Sequence, residues 1–244
     1  MKNYKTINIL GINVDKVTEK EALDAFEGFL TEDKCSQIVT LNPEMIVEAQ
    51  NNKDFYNLLL DSELAFPDGV GLVYASKIKH DPLTERVTGI DFTRKALELL
   101  AKKGGTAYFL GAKPGIAEAA ARNLEKEIPG LKIVGARDGY FKPEDEAQIV
   151  NEINESGADF LCLALGAPKQ EFFAYKYKKE LKCKVAIGIG GSFDVWSGTL
   201  KRAPQFYIDH NIEWLYRLMQ EPSRIGRMAK LPVFLMKVAM HKEK

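Results

Sequence analysis

The chain has 244 residues, 45% of them apolar and 28% charged, with 34 acidic against 34 basic side chains. Such a composition supports one large core, or a domain with an appendage, and excludes a disordered or fibrous chain. No run reaches the roughly 18 apolar residues of a membrane span, and the N-terminal MKNYKTINIL lacks the apolar stretch of a signal peptide, so a cytoplasmic location is expected.

Residues 5–10 read as a first strand, with a small hairpin turning at Gly11 as the alternative. Thr18 and Glu21 form a capping-box pair ahead of a helix over 19–31. A strand at 37–41 runs into Asn42-Pro43, an N-cap and first-position proline for a helix reaching about Gln50. Further strands are predicted at 63–66, 106–110, 131–136, 159–165 and 184–189. Thr88 and Asp91 open a helix over 89–103, and Pro114, Pro143 and Pro168 open helices over 114–127, 143–156 and 168–181. This alternation predicts an α/β fold: a Rossmann-like, mostly parallel sheet flanked by helices on both faces.

Beyond residue 200 the strand pattern stops, which divides the chain into an α/β core at 1–199 and a helical C-terminal appendage at 200–244. Pro204, Pro222 and Pro232 divide the appendage, and Ile208, Ile212, Leu215 and Met219 fall on one helical face. The appendage holds nine Lys/Arg and four Asp/Glu, a net +5, which leaves the core at −5. A basic, aromatic, amphipathic segment suits an anionic membrane surface. A plain helical cap on the core, or an oligomer interface, would use the same apolar face. Cys35, Cys162 and Cys183 are too few and too scattered for a disulfide framework or zinc site, and Cys162 sits in an apolar run.

Ligands of open α/β sheets bind where strands end and helices begin. Five such junctions carry chemistry here. In TLNPE (40–44), Thr40 and Asn42 stand at a helix N-terminus, where Asn42 also serves as a cap. In FPDGVG (66–71), Asp68 ends a strand between Pro67 and Gly69; it suits a general base, or a turn and helix cap. FLGAKPG (109–115) brings Gly111 to a helix N-terminus fit for a diphosphate, as ALGAPKQE (164–171) does Gly166 with Lys169 and Gln170. GIGGSFD (188–194) offers Gly190 and Gly191, but Phe193 breaks a dinucleotide fingerprint, which disfavours a nucleotide-dependent oxidoreductase. From their placement after strands, Tyr140 is a candidate to stack on a base and Asp194 to accept from ribose hydroxyls. No D-x-D pair and no His/Asp/Glu cluster has metal-site spacing, so neither metal nor cofactor is expected, and no nucleic-acid partner.

Taken together, TLNPE, FPDGVG, FLGAKPG, LGAPKQE, GIGGSFDVWSG and then KRAP…EWLYRLMQEPSR resemble the WecG/TagA/CpsF glycosyltransferase family, in order and spacing from about residue 5 to 230. The look is most like its N-acetylmannosaminyltransferase branch. The resemblance implies a UDP-sugar donor, in that branch UDP-N-acetylmannosamine, and an undecaprenyl-diphosphate-linked N-acetylglucosamine acceptor. Sister enzymes use N-acetylmannosaminuronic acid or glucose donors. It further implies inversion at the anomeric carbon without a metal. Asp68 matches the family's catalytic base, and Thr40, Asn42, Arg86 and Gln170 its active-site polar residues. Arg217, Arg224 and Arg227 match the arginines that meet substrate diphosphate on a membrane-docking appendage. A non-catalytic docking protein with the same fold is the rival that these intact motif positions speak against.

Overall fold

The computed structural model describes residues 4–83, 85–210, 212–220 and 230–241. Its first two strands, β1 (Thr6–Ile9) and β2 (Ile12–Asp15), form the antiparallel hairpin that was the alternative reading of the N-terminus. Leu10 and Gly11 both take positive φ at the turn, the geometry of a tight two-residue hairpin loop.

Six strands form the main sheet: β3 (Ser36–Leu41), β4 (Leu64–Pro67), β5 (Thr106–Gly111), β6 (Lys132–Arg137), β7 (Phe160–Ala164) and β8 (Val185–Gly188). Their order is β4-β3-β8-β7-β5-β6, and every neighbouring pair is parallel. Each lies within one residue of its expected bounds. β3, β4, β7 and β8 are buried at every position, because both faces of the sheet are covered.

One face carries α1 (Glu19–Phe29), α5 (Gly89–Lys102), α6 (Ile116–Glu127) and the short α9 (Ser192–Trp196). Aromatic pairs fill that layer: Phe26 against Phe160, Phe66 against Phe92 and Phe109 against Phe193, with ring centroids 4.8, 4.9 and 4.6 Å apart. The other face carries the hairpin, α2 (Pro43–Ala49), α3 (Lys53–Asp61), α4 (Val70–Ile78), α7 (Glu146–Ser156) and α8 (Lys169–Tyr177). The Thr18–Glu21 capping box is formed, and Asn42 caps α2 by accepting from the Met45 amide. A 3-10 turn, Pro143–Asp145, precedes α7. Helices α3 and α9 fall where no helix had been expected, and α4 is the helix that the capping alternative for Asp68 placed there. The hairpin guards the sheet edge: the buried Asp15 carboxylate accepts from the Ala65 amide of β4 at 2.7 Å. All three cysteines are buried thiols.

In the C-terminal segment, α10 (Gln205–Asp209), α11 (Glu213–Gln220) and α12 (Lys230–Met240) are helical. Two details differ from the expected pattern. α10 ends before α11 begins, so Ile208, Ile212, Leu215 and Met219 do not share one continuous helix. Pro232 does not divide α12 but sits in its first turn, where a missing N–H costs no helical bond. α12 lies on α2 and α4 and fully buries Phe234 and Val238 among them, so part of the apolar stripe covers the core. No helix among the described residues is long and apolar enough to cross a membrane.

Candidate active site

The sheet's two halves, β3–β4 and β5–β8, meet at the β3/β8 pair, and a cavity of about 240 Å³ opens beyond the C-terminal ends of those strands. This is the place an open α/β sheet offers a ligand. Thr40 closes β3 and donates to the Gly188 carbonyl at the end of β8, 3.1 Å away, which pins the two strand ends together. Asn42 both caps α2 and lines the cavity.

Asp68 follows β4, held by its amide donating to the Leu41 carbonyl at 2.6 Å. It does not cap α4: the cap is Gly69, and no side chain bonds the first turn. The carboxylate instead faces the cavity and accepts from the Gly89 amide at the start of α5. Its pKa is raised above the ordinary carboxylate value. Burial of the carboxyl is the main cause; Arg86, Arg217 and the Gly89 amide pull it back, and Glu213 pushes it up again. A desolvated carboxylate with arginines close by can take a proton and still stand near developing anionic charge.

Arg86 comes from the loop before α5 and Arg217 from α11. Both meet the buried carboxylate of Glu213: Arg86 Nη2 is 2.9 Å from Oε2, and Arg217 Nη2 is 3.6 Å from Oε1. Trp214 of α11 and Leu231 of α12 complete the wall. Gly71 is required beneath it, since a Cβ there would stand 2.4 Å from Pro43 Cγ and 2.7 Å from Leu231 Cδ1.

Of the residues singled out in the sequence, Thr40, Asn42, Asp68, Arg86 and Arg217 therefore share one cavity. Gln170 does not line it. Buried, it joins two junctions: its Oε1 accepts from the Gly166 and Gly190 amides at 3.2 and 3.3 Å, and its Nε2 donates to Glu171 at 2.8 Å. Gly191 borders a smaller adjoining cavity with Val195, Lys201 and Arg202, to which Glu213 and Arg217 also contribute. Gly111 lies against the Ala164 backbone, 2.4 Å from where its Cβ would be, so close strand packing alone demands glycine there. Tyr140 is 71% exposed on a loop tied to the third junction by the Gly139 amide donating to the Ala112 carbonyl. Asp194 is half-buried on α9. Arg224 and Arg227 lie outside the described residues. Sequence reasoning missed Glu213, whose only local signal is its i,i+4 spacing to Arg217. Among the described residues no three His, Cys, Asp or Glu side chains converge.

Residues 7–244 match the model of the WecG/TagA/CpsF glycosyl transferase family. The chain belongs to that family. Curated relatives in it are named N-acetylglucosaminyldiphosphoundecaprenol N-acetyl-beta-D-mannosaminyltransferase. The protein of that name from Bacillus spizizenii is 38% identical over 87% of this chain and 82% of its own length. Its Bacillus subtilis counterpart is 34% identical over 88% and 84%. The one from Staphylococcus aureus strain MRSA252 is 31% identical over 99% and 95%. The chain is thus a WecG/TagA/CpsF-type glycosyltransferase, and the match runs through its C-terminal segment.

Proposed function

We propose that this glycosyltransferase moves N-acetylmannosamine from UDP-N-acetylmannosamine to N-acetylglucosamine on undecaprenyl diphosphate, with inversion, in the synthesis of wall teichoic acid or a related cell-surface polymer. The names of relatives matching nearly the whole chain support the acceptor and the sugar. The observation that carries the mechanism is Asp68: a desolvated carboxylate with raised pKa, at a strand end, in the cavity that also holds Thr40, Asn42, Arg86 and Arg217.

In this reading Asp68 takes the proton of the acceptor 4-hydroxyl, and that oxygen attacks the anomeric carbon from the face opposite UDP. The anomeric carbon–phosphate oxygen bond breaks, and UDP leaves with the electron pair. Arg86, Arg217 and helix N-termini neutralise the leaving diphosphate, so no divalent metal is required. A 240 Å³ cavity is below the usual 300–1,000 Å³ of a ligand site. It admits the reacting sugar and its phosphate, and the rest of UDP extends along the glycine junctions of Gly111, Gly166, Gly190 and Gly191. Tyr140 would stack on uracil and Asp194 would accept from the ribose. The C-terminal segment docks on the inner face of the cell membrane, with Arg224 and Arg227 joining Arg217 at substrate diphosphate. Supporting that docking, Phe206, Met219, Val233, Met236 and Met240 stand exposed on the basic segment.

Asp68→Asn keeps the shape and removes the proton acceptor. It should lower turnover by about 10²–10⁴-fold with UDP binding intact; an Asn variant with near wild-type turnover overturns the assignment. Activity with UDP-glucose or UDP-N-acetylmannosaminuronic acid in place of UDP-N-acetylmannosamine would reassign the donor.

A further inference from the structure

The Glu213 carboxylate is an unusual tenant for a cavity wall that is to receive a diphosphate. It is the first residue of α11, 7% exposed, and its two oxygens face two guanidinium groups from different parts of the chain. Arg86 arrives from the loop ahead of α5 and Arg217 from the next turn of α11. Two cations brought together in a partly buried wall repel and need nearby anions to stay there; Asp68 acts on both through space, and Glu213 is the carboxylate in direct contact with both. Glu213 and Arg217 both border the two cavities, the larger one at Asp68 and the smaller one at Lys201 and Arg202.

We infer that Glu213 is a resident stand-in for substrate diphosphate, holding Arg86 and Arg217 at the Asp68 cavity and yielding them to the diphosphate when it binds. The inference rests on the reading that Arg217 meets a diphosphate. A carboxylate offers two acceptor oxygens and one negative charge. A diphosphate offers more of both, and the guanidinium fork bonds either in the same geometry. Exchange therefore keeps both arginines paired throughout, and no unpaired cation is left in the wall. The cost is that the diphosphate must displace a carboxylate already in place, which weakens its binding.

The test is calorimetric titration of the full-length chain and its Glu213→Gln variant with inorganic pyrophosphate, UDP and a short-chain polyprenyl-diphosphate N-acetylglucosamine. Glu213→Gln should bind pyrophosphate at least fivefold more tightly than wild type. A matching gain for UDP places the exchange on the donor, and a gain for the prenyl compound places it on the acceptor. Damage to a structural residue weakens binding, so a gain separates the two roles. Should Glu213→Gln not fold, Glu213→Asp, too short to span both arginines, should show a smaller gain of the same sign. Unchanged or weaker pyrophosphate binding in the folded variants overturns the inference. Arg217→Ala separates this failure from a wider one. If it weakens pyrophosphate binding while Glu213→Gln brings no gain, only the exchange is wrong; if Arg217→Ala changes nothing, the diphosphate reading of Arg217 falls as well.

Discussion

Glu171 should make the stability of this protein fall as pH rises from about 4.5 to neutrality. Its side chain is 2% exposed beside the site, accepts from Gln170 Nε2 at 2.8 Å through one oxygen, and finds no hydrogen-bond partner among the described residues for the other. Burial pushes its pKa from 4.5 to about 7, with the Gln170 bond only partly opposing. Below pH 4.5 the carboxyl is protonated whether the chain is folded or not. Between 4.5 and about 7 the unfolded chain ionises it while the folded chain keeps the proton, so the folded state is progressively disfavoured. At 1.36 kcal/mol per pKa unit, the full loss is about 3 kcal/mol, complete by roughly pH 8. Glu171→Gln keeps the size and an acceptor for Gln170 but cannot ionise, so its profile should lack this slope. Urea unfolding of both proteins, followed by tryptophan fluorescence from pH 5 to 8, measures the difference directly. The variant should gain about 2–3 kcal/mol on wild type across that range. Parallel profiles would refute the reasoning, because they would mean that Glu171 is ionised in the fold or reaches solvent.

Other outcomes follow from the same geometry. Gly71→Ala drives a methyl into Pro43 and Leu231, so α12 must shift; a loss of about 1–3 kcal/mol in thermal unfolding is expected, and an unchanged melting temperature would show that α12 yields freely. Met236 and Met240 are 58% and 74% exposed on the helix that buries Phe234 and Val238. Replacing both methionines with Asp should abolish binding to anionic vesicles in a flotation assay and leave the fold intact, and undiminished flotation would move the docking surface elsewhere. Transfer should persist in EDTA; complete loss, restored by magnesium or manganese, would put a metal on the leaving diphosphate.

The sheet was legible in the sequence because buried parallel strands are short apolar runs bounded by glycine and proline, and each was placed within a residue. So were the Thr18–Glu21 and Asn42 caps, whose chemistry is local. The motif set marked Thr40, Asn42, Asp68, Arg86, Gln170 and Arg217 as one site; the described residues bring all of these but Gln170 into one cavity. Helices α3 and α4 were not assigned from the sequence: α3 carries a clear apolar face of Phe55, Leu58 and Leu59 behind an Asn52 cap but is only nine residues long and follows α2 closely, and α4 begins after Pro67-Asp68-Gly69, which reads equally well as a turn. Strand order, which sets β8 beside β3 and so opens the cavity between them, was beyond sequence reading, since hydrogen bonding between distant strands leaves no local periodic trace. The same limit hid Glu213. Its burial between Arg86 and Arg217 depends on α11 crossing a loop some 127 residues earlier in the chain, and the division of α12 between core-facing Phe234 and outward Met236 depends on where α2 and α4 already lie. Local pattern decided which side chains are available; which charges and apolar faces meet was decided only when the tertiary fold removed water from between them.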